Sequence, residues 1–294
     1  MASRPYKIAL VGIENSHATH IIEYLNVTTR RRRAEVVALI GPDDDHMAEL
    51  LELGGISQRV DDLRQAQASM IGSVDALIAT NRDGGLHAQY AIPFLEAGLP
   101  VWVDKPLACS TADAELIIEA ATRSGAPLTS YSPLRWAHEV DDLERSTAEI
   151  GDLQAVTVTG PADPASEYGG LFFYGIHCTD VAQRLVPGDP TELQVKQVSD
   201  TVIIRYQCGD TEVTLQLVKP DDHRRVPFHA TLTGRSGVAS TDITLGPGYV
   251  EPGIEKFLGM LDSGNPPVPY EEILRPVAVI EAARSVIEAA RSAG

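Results

Sequence analysis

Between Tyr6 and Gly125 the chain alternates apolar runs with helical periodicity, and this alternation restricts the fold more than any other feature. The run Lys7-Ile8-Ala9-Leu10-Val11-Gly12, inside a strand pattern from Tyr6 to Ile13, is nearly continuous in apolar residues. A parallel strand buried on both faces requires that. A helix is predicted over His17 to Asn26, with Ile21, Ile22 and Leu25 on one face. Glu35 to Ile40 reads as a second strand and Met47 to Leu53 as a helix closed by Gly54-Gly55. Val74 to Ala79 is a third strand. An amphipathic helix with Ala91, Leu95 and Ala97 ends at Gly98, and Val101 to Val103 is a fourth strand. Thr111 opens a helix that carries Glu115 and stops at Gly125. Repeated strand, helix, strand predicts a Rossmann-type doubly wound parallel sheet, an α/β class.

Near Leu128 the pattern changes. Ala155 to Thr159, Leu193 to Val198, Thr201 to Gln207, Thr211 to Leu217, His229 to Thr233 and Val238 to Ile243 alternate apolar and polar residues. Short turns such as Gly209-Asp210 and Gly234 to Gly237 separate them, which predicts an α+β domain with a largely antiparallel, open-faced sheet. A long helix follows over Ile273 to Arg291, with Val277, Ile280, Val286 and Ile287 apolar. The expected division is residues 1–127 as a dinucleotide-binding domain, with 271–294 packing back onto it, and 128–270 as a substrate and oligomerisation domain. The open face, taken to carry Val, Ile and Leu, is expected to join copies into a homodimer or homotetramer.

The 294 residues carry a net charge of −17, which argues against nucleic acid as a partner because its phosphates would be repelled. Cys109, Cys178 and Cys208 are odd in number and lack metal-type spacing, so no disulfide framework is expected. No apolar run reaches membrane-spanning length, and no signal-peptide pattern precedes the first strand, so a cytoplasmic protein is expected.

Chemistry concentrates at a few places. Asp104-Lys105-Pro106 ends the strand pattern Leu99 to Val103, and ligands of open α/β sheets bind outside the carboxyl ends of strands. A lysine there can donate to a substrate hydroxyl or transfer a proton once burial lowers its pKa. The plain alternative is a surface lysine after a strand. His177 lies in Gly169-Gly170-Leu171-Phe172-Phe173-Tyr174-Gly175-Ile176-His177-Cys178-Thr179-Asp180. Imidazole suits base catalysis near neutrality. A packed, hydrogen-bonded histidine is the alternative. Asp180 is one turn further on, placed to orient substrate or to pair locally.

Thr80-Asn81, His87, Gly98 and Val103-Asp104-Lys105-Pro106-Leu107-Ala108, taken together, resemble the core signature of the Gfo/Idh/MocA family of sugar and polyol dehydrogenases. That family usually has Glu-Lys-Pro where this chain has Asp104-Lys105-Pro106. The resemblance covers most of the chain. It implies NAD or NADP as cofactor, with Thr80, Asn81, His87 and Asp104 on the cofactor side, and Lys105 beside the nicotinamide and the reacting carbon. It implies His177 as the general base and Asp180 as an orienting group. The family's first aspartate, four residues before that histidine, is Phe173 here. Phe173, Tyr174 and Arg135 are expected to line the substrate pocket; for Arg135 a structural ion pair is the alternative.

The turn after the first strand departs from the dinucleotide fingerprint Gly-x-Gly-x-x-Gly. Gly12-Ile13-Glu14-Asn15-Ser16-His17 keeps only the first glycine, and Glu14 stands where the backbone should approach pyrophosphate. Glu14 is expected to repel and crowd the phosphates, Asn15 or Ser16 to cap the helix, and His17 to add positive charge. Where the family has a ribose-gripping acid, this chain has Gly41, with Asp43 two residues on as a substitute or a turn aspartate. Cofactor binding is therefore expected to be weaker or differently posed. No metal site is assigned, although Glu14, His17 and His20 share a helical face and offer a metal alternative. The Arg30 to Arg33 run precedes the second strand and reads as a solvated loop.

The leading expectation is an NAD(P)-dependent oxidoreductase acting on a sugar, polyol or related small hydroxy compound. The alternatives are non-redox lyase or isomerase chemistry, possibly metal-assisted, in a protein with an altered dinucleotide site, and a non-catalytic ligand-binding subunit.

Overall fold

A computed structural model describes residues 4–28, 33–42, 44–61, 63–221 and 226–292, without the side chains of 63 and 64. By internal contacts it divides into two units: 1–108, 112–130 and 250–270 in the first, and 109–111, 131–249 and 271–294 in the second.

In the first unit, β1 (Tyr6–Val11), β2 (Ala34–Ile40), β3 (Gln58–Val60), β4 (Ala76–Ala79), β5 (Val101–Val103) and β6 (Leu128–Ser130) form one parallel sheet in the order β3-β2-β1-β4-β5-β6. The helices α1 (Ser16–Ile22), α2 (Asp45–Gly54), α3 (Leu63–Met70), α4 (His87–Glu96) and α5 (Thr111–Ser124) alternate with the strands. Ile8 to Val11 and Ala76 to Ala79 are fully or almost fully buried, which is why these strands read as unbroken apolar runs. This strand order reverses direction between β1 and β4, and ligands of such sheets bind at that switch point.

Several local features depart from the expected pattern. The helix after β1 changes to a π-helical run over Glu23–Thr28, where buried Asn26 bonds the Val36 N–H and the Val36 and Gly54 carbonyls. β3 and α3 had no apolar run to announce them. Asp44 caps α2, and Asp43 lies outside the described residues. Of the Arg30 to Arg33 run only Arg33 is described, and it pairs with Glu255 and Asp262 of a further helix in this unit, Glu251–Ser263. That helix also sets Phe257 against Trp102, with ring centroids 5.6 Å apart.

The second unit contains α6 (His138–Ile150), β7 (Leu153–Pro161), α7 (Phe172–Leu185), β8 (Thr191–Val198), β9 (Thr201–Cys208), β10 (Thr211–Val218), β11 (Phe228–Gly234) and β12 (Val238–Ile243). The sheet order is β12-β11-β7-β10-β9-β8; β7 and β10 are parallel and every other pair is antiparallel. Alternation sends Val156, Val158, Val202, Ile204, Val213, Leu215 and Leu232 to the face covered by α6 and α7. The open face presents Thr157, Thr159, Arg205, Thr214 and Thr231, with Ile203 among them. It is therefore mainly polar, with Val198, Val218 and Val238 as further scattered apolar residues in place of a broad Val, Ile and Leu surface.

We number Glu251–Ser263 as α8 and the last helix, Tyr270–Ser292, as α9. The division differs from the expected one. Residues 271–292 group with the second unit, and α8 is the segment that returns to the first. α9 buries Ile273, Val277, Ile280 and Ala283. Gly175 of α7 packs closely on its neighbours: a Cβ would lie 3.1 Å from Leu217 and 3.3 Å from Ile280.

Candidate active-site residues

The turns after β1 and β4 meet at the switch point. Gly12 (φ +87°) is so close to the β4 turn that a Cβ would fall 2.1 Å from the Asn81 nitrogen, so only glycine fits. Thr80 is fully buried, and its hydroxyl donates to the Val11 and Gly12 carbonyls at 3.0 and 2.8 Å. Asn15 caps α1 by accepting from the His17 N–H at 3.1 Å. The Glu14 carboxylate, expected to face phosphate, accepts instead from the Arg82 N–H at 2.9 Å, and the Arg82 guanidinium donates to the Glu14 carbonyl. The turn therefore carries a cation beside its anion. Ile13 is core, and a Cβ at Gly41 would lie 3.2 Å from its side chain, a tight approach.

His17 Nδ1 sits 2.7 Å from Asp104 Oδ2, and the Asn15 amide donates to the same oxygen at 3.3 Å. Burial pushes the Asp104 carboxyl up, but His17, with Lys105, outweighs this and brings it down to about 2. His17 is thus committed to Asp104, which removes it from the trio with Glu14 and His20. No cluster of three metal-ligating side chains occurs among the described residues.

His87 is fully buried. Its Nδ1 is 2.7 Å from the Pro106 carbonyl and its Nε2 is 3.0 Å from the Asn81 carbonyl, so it ties the β4 turn to the Lys105-Pro106 segment. Burial pushes its imidazole pKa down. His87, Thr80 and Asp104 each make hydrogen bonds inside the protein that hold these turns together. Lys105, 7% exposed, ends β5 through a cis peptide to Pro106. Burial lowers its pKa below the usual lysine range and Arg82 adds to this, against Asp104.

A dinucleotide suits this turn in one specific respect. Asn81 Oδ1 is buried and accepts no hydrogen bond, so a donor from a bound group would satisfy it. The residues placed to hold such a group are the backbone of Gly12 to Ser16, Asn81 and Arg82.

In the second unit, α7 begins after the positive-φ pair Gly169-Gly170 and carries His177 and Asp180, both buried. Gly160 lets α7 approach the sheet, because a Cβ there would lie 2.6 Å from Cys178 Sγ and from Phe228. Asp180 Oδ2 accepts from the Ser132 N–H at 2.6 Å and Oδ1 from Arg135 Nη1 at 2.9 Å. Burial pushes the Asp180 carboxyl up, with Arg135 and the Ser132 N–H pulling against it. Arg135 also pairs with Glu272, and its side chain is only 3% exposed. It is part of a buried structural ion-pair network. Ser132 Oγ lies 2.6 Å from His177 Nδ1.

Phe173 sits one turn before His177 and packs against Tyr168, tilted, and Tyr174, edge to face, at centroid distances of 5.0 and 4.8 Å. These three line a cavity of about 450 Å³ together with Asp163 and Glu167. Tyr174 continues the aromatic series to His177 at 5.8 Å.

Ser132 and Arg82 were missed by sequence reasoning. Ser132-Pro133 is a recognisable cap for the 3₁₀ turn Pro133–Trp136, which it makes by accepting from the Leu134 N–H, but nothing local ties it to a histidine 45 residues away. Arg82 directly follows the Thr80-Asn81 motif, and that adjacency was the available signal.

Residues 6–132 match the oxidoreductase family with an NAD-binding Rossmann fold, Gfo/Idh/MocA. An inositol 2-dehydrogenase 3 of Saccharopolyspora erythraea is 31% identical over 131 residues, 44% of this chain and 36% of that protein. An inositol 2-dehydrogenase of Acidiphilium cryptum is 27% identical over 172 residues, 56% of this chain and 46% of that protein. The matched part thus spans less than half the length of these curated relatives. The crystal structure of a myo-inositol 2-dehydrogenase from Lactobacillus plantarum aligns over 96% of this chain and 97% of its own, with a TM-score of 0.82 at 14% identity. That of GenD2 from gentamicin A biosynthesis, in complex with NAD, aligns over 97% and 95%, with a TM-score of 0.81 at 17% identity. The two-unit fold is that of these dehydrogenase structures, and within it residues 6–132 match the NAD-binding Rossmann model of the Gfo/Idh/MocA family.

Proposed function

We propose that the protein is an NAD(P)-dependent oxidoreductase acting on a sugar, polyol or related small hydroxy compound. The observation that carries this reading is Lys105, a buried lysine of lowered pKa at the carboxyl end of β5, in the sheet whose switch point holds the Gly12 and Asn81 turns. A bound nicotinamide dinucleotide would supply the hydride acceptor for the carbon being oxidised. His177 is assigned the part of general base, and Lys105 that of a hydrogen-bond donor to substrate. Asp180 takes no part in proton transfer; it anchors Ser132 and Arg135 beside the base. Phe173 and Tyr174 offer ring faces to the carbon skeleton of the substrate, in the cavity with Tyr168. The reading includes a cytoplasmic setting and association of copies through the open face of the second sheet, with polar contacts in place of apolar ones.

The test is turnover of a panel of cyclitols, sugars and sugar acids with NAD and NADP, followed by the absorbance of reduced nicotinamide. The expected result is turnover of at least one class, reduced about 10²–10⁴-fold in His177→Ala and comparably in Lys105→Ala, with both variants folded. Full activity in both variants would remove the assignment.

A further inference from the structure

We propose that the cavity beside α7 takes a polyhydroxylated ring that carries an ammonium group, an amino sugar or aminocyclitol, with the ammonium held among Tyr168, Phe173, Tyr174 and the Glu167 carboxylate. This names a substrate class for the oxidoreductase reading and rests on that reading. The cavity measures about 450 Å³, room for one such ring. Among the described residues its lining includes two carboxylates, Asp163 and Glu167, and no basic side chain.

The three rings lie in three different planes. Phe173 is inclined by 46° to Tyr168 and by 77° to Tyr174, so the rings form walls and not a stack. An aromatic face attracts a cation through its quadrupole. The loop that brings Glu167 and Tyr168 to this place is tied to itself. The Asp163 carboxylate accepts from the Ala165 N–H at 2.8 Å, the Asp163 carbonyl from the Ser166 N–H at 3.1 Å, and the Ser166 carbonyl from the Gly170 N–H at 2.8 Å. Gly170 (φ +63°) closes the loop so tightly that a Cβ would lie 3.0 Å from the Pro164 carbonyl oxygen. These contacts seat Tyr168 against Phe173.

The two carboxylates are placed differently. Asp163 Oδ2 is 3.4 Å from Lys219 Nζ, so its charge is matched within the protein. Glu167 is exposed and makes no ion pair or hydrogen bond with another described residue. An unmatched carboxylate beside aromatic walls favours an ammonium and repels a carboxylate or phosphate. A neutral hydroxyl in the same place gains neither the ring quadrupole nor the full charge of the carboxylate. Tyr174 also lies against His177, with centroids 5.8 Å apart, so the cavity adjoins the residue read as the base.

The test is calorimetric titration near neutrality, with and without NADH, of wild type, Glu167→Gln and Tyr168→Leu. The probes are glucosamine against glucose, an amino-deoxy-inositol against myo-inositol, and N-acetylglucosamine as the neutral amide. Wild type is expected to bind at least one amine about tenfold more tightly than its hydroxyl counterpart, and glucosamine is expected to lose any such margin on N-acetylation. Glu167 is exposed, so Glu167→Gln removes the charge without disturbing the core. Each variant is expected to shrink the margin by at least about threefold, with binding of the neutral counterpart little changed. Amines that bind no better than their counterparts, a margin unchanged in both variants, or no binding by any probe up to about 10 mM would overturn the proposal. Calorimetry needs no turnover: if amines are preferred but no hydroxy compound is oxidised with NAD or NADP, the reading of the activity fails and that of the cavity stands. If a neutral polyol is oxidised and amines are not preferred, the reverse holds.

Discussion

The turn at the β1/β4 switch point and the buried face of α7 hold their polar groups in different ways. At the switch point, backbone does most of the work: Gly12 against Asn81, Thr80 against two carbonyls, Glu14 against the Arg82 N–H. On α7, side chains hold side chains, in the chain Glu272–Arg135–Asp180 and the pair Ser132–His177. A turn built from backbone tolerates changed side chains as long as the main chain keeps its path. That explains how a fingerprint reduced to Gly12 still forms the family fold. A buried side-chain network tolerates loss poorly, because each member left behind is an unpaired charge or donor.

Removing Arg135 should therefore produce the largest stability loss. Arg135→Ala leaves Asp180 and Glu272 facing each other without a cation, and should cost about 3–5 kcal/mol in chemical denaturation. A loss below about 1 kcal/mol would mean that water already satisfies this network and that the contrast is false.

The switch-point region also holds a buried carboxylate beside an imidazole, Asp104 and His17, and its signature is a pH dependence. The folded-state pKa of Asp104 is depressed to about 2. Its stabilisation is therefore fully present above the ordinary carboxylate pKa, near 4, and is lost as pH falls from there toward 2. Asp104→Asn should be less stable than wild type by about 2 kcal/mol near neutrality, with the difference closing across that acid window. A difference that does not change with pH would show that His17 does not stabilise the carboxylate.

Glu14→Gln should have the smallest effect. The amide oxygen can still accept the Arg82 N–H, so stability should change by less than about 0.5 kcal/mol in thermal unfolding. A larger loss would mean that the turn depends on the charge of Glu14 and not on its backbone path.

The same contrast shows what could be read before the fold was seen. β1, β2, β4 and β5 were legible because strands buried on both faces leave unbroken apolar runs. Gln58-Arg59-Val60 was not, since two of its three residues are exposed at the sheet edge. α6 is dominated by charged residues, and α8 opens Glu251-Pro252-Gly253, so neither shows a clear apolar period over its first turn. The span of α9 was legible, but the unit it joins was not, because periodicity states that a face is buried and not against what. At the site, Lys105 and His177 came from motif position. The motif also put forward Thr80, His87 and Asp104, whose internal hydrogen bonds tie the turns together. Ser132 and Arg82 act through residues far along the chain or on another turn, and local pattern carries no record of such contacts.

The most direct measurement is calorimetric titration of the purified protein with NAD and with NADP. The account predicts saturable binding of one dinucleotide per chain, with a dissociation constant between about 1 μM and 1 mM. Absence of binding by either dinucleotide up to about 1 mM, or sub-micromolar binding that Glu14→Gly leaves unaltered, would contradict it.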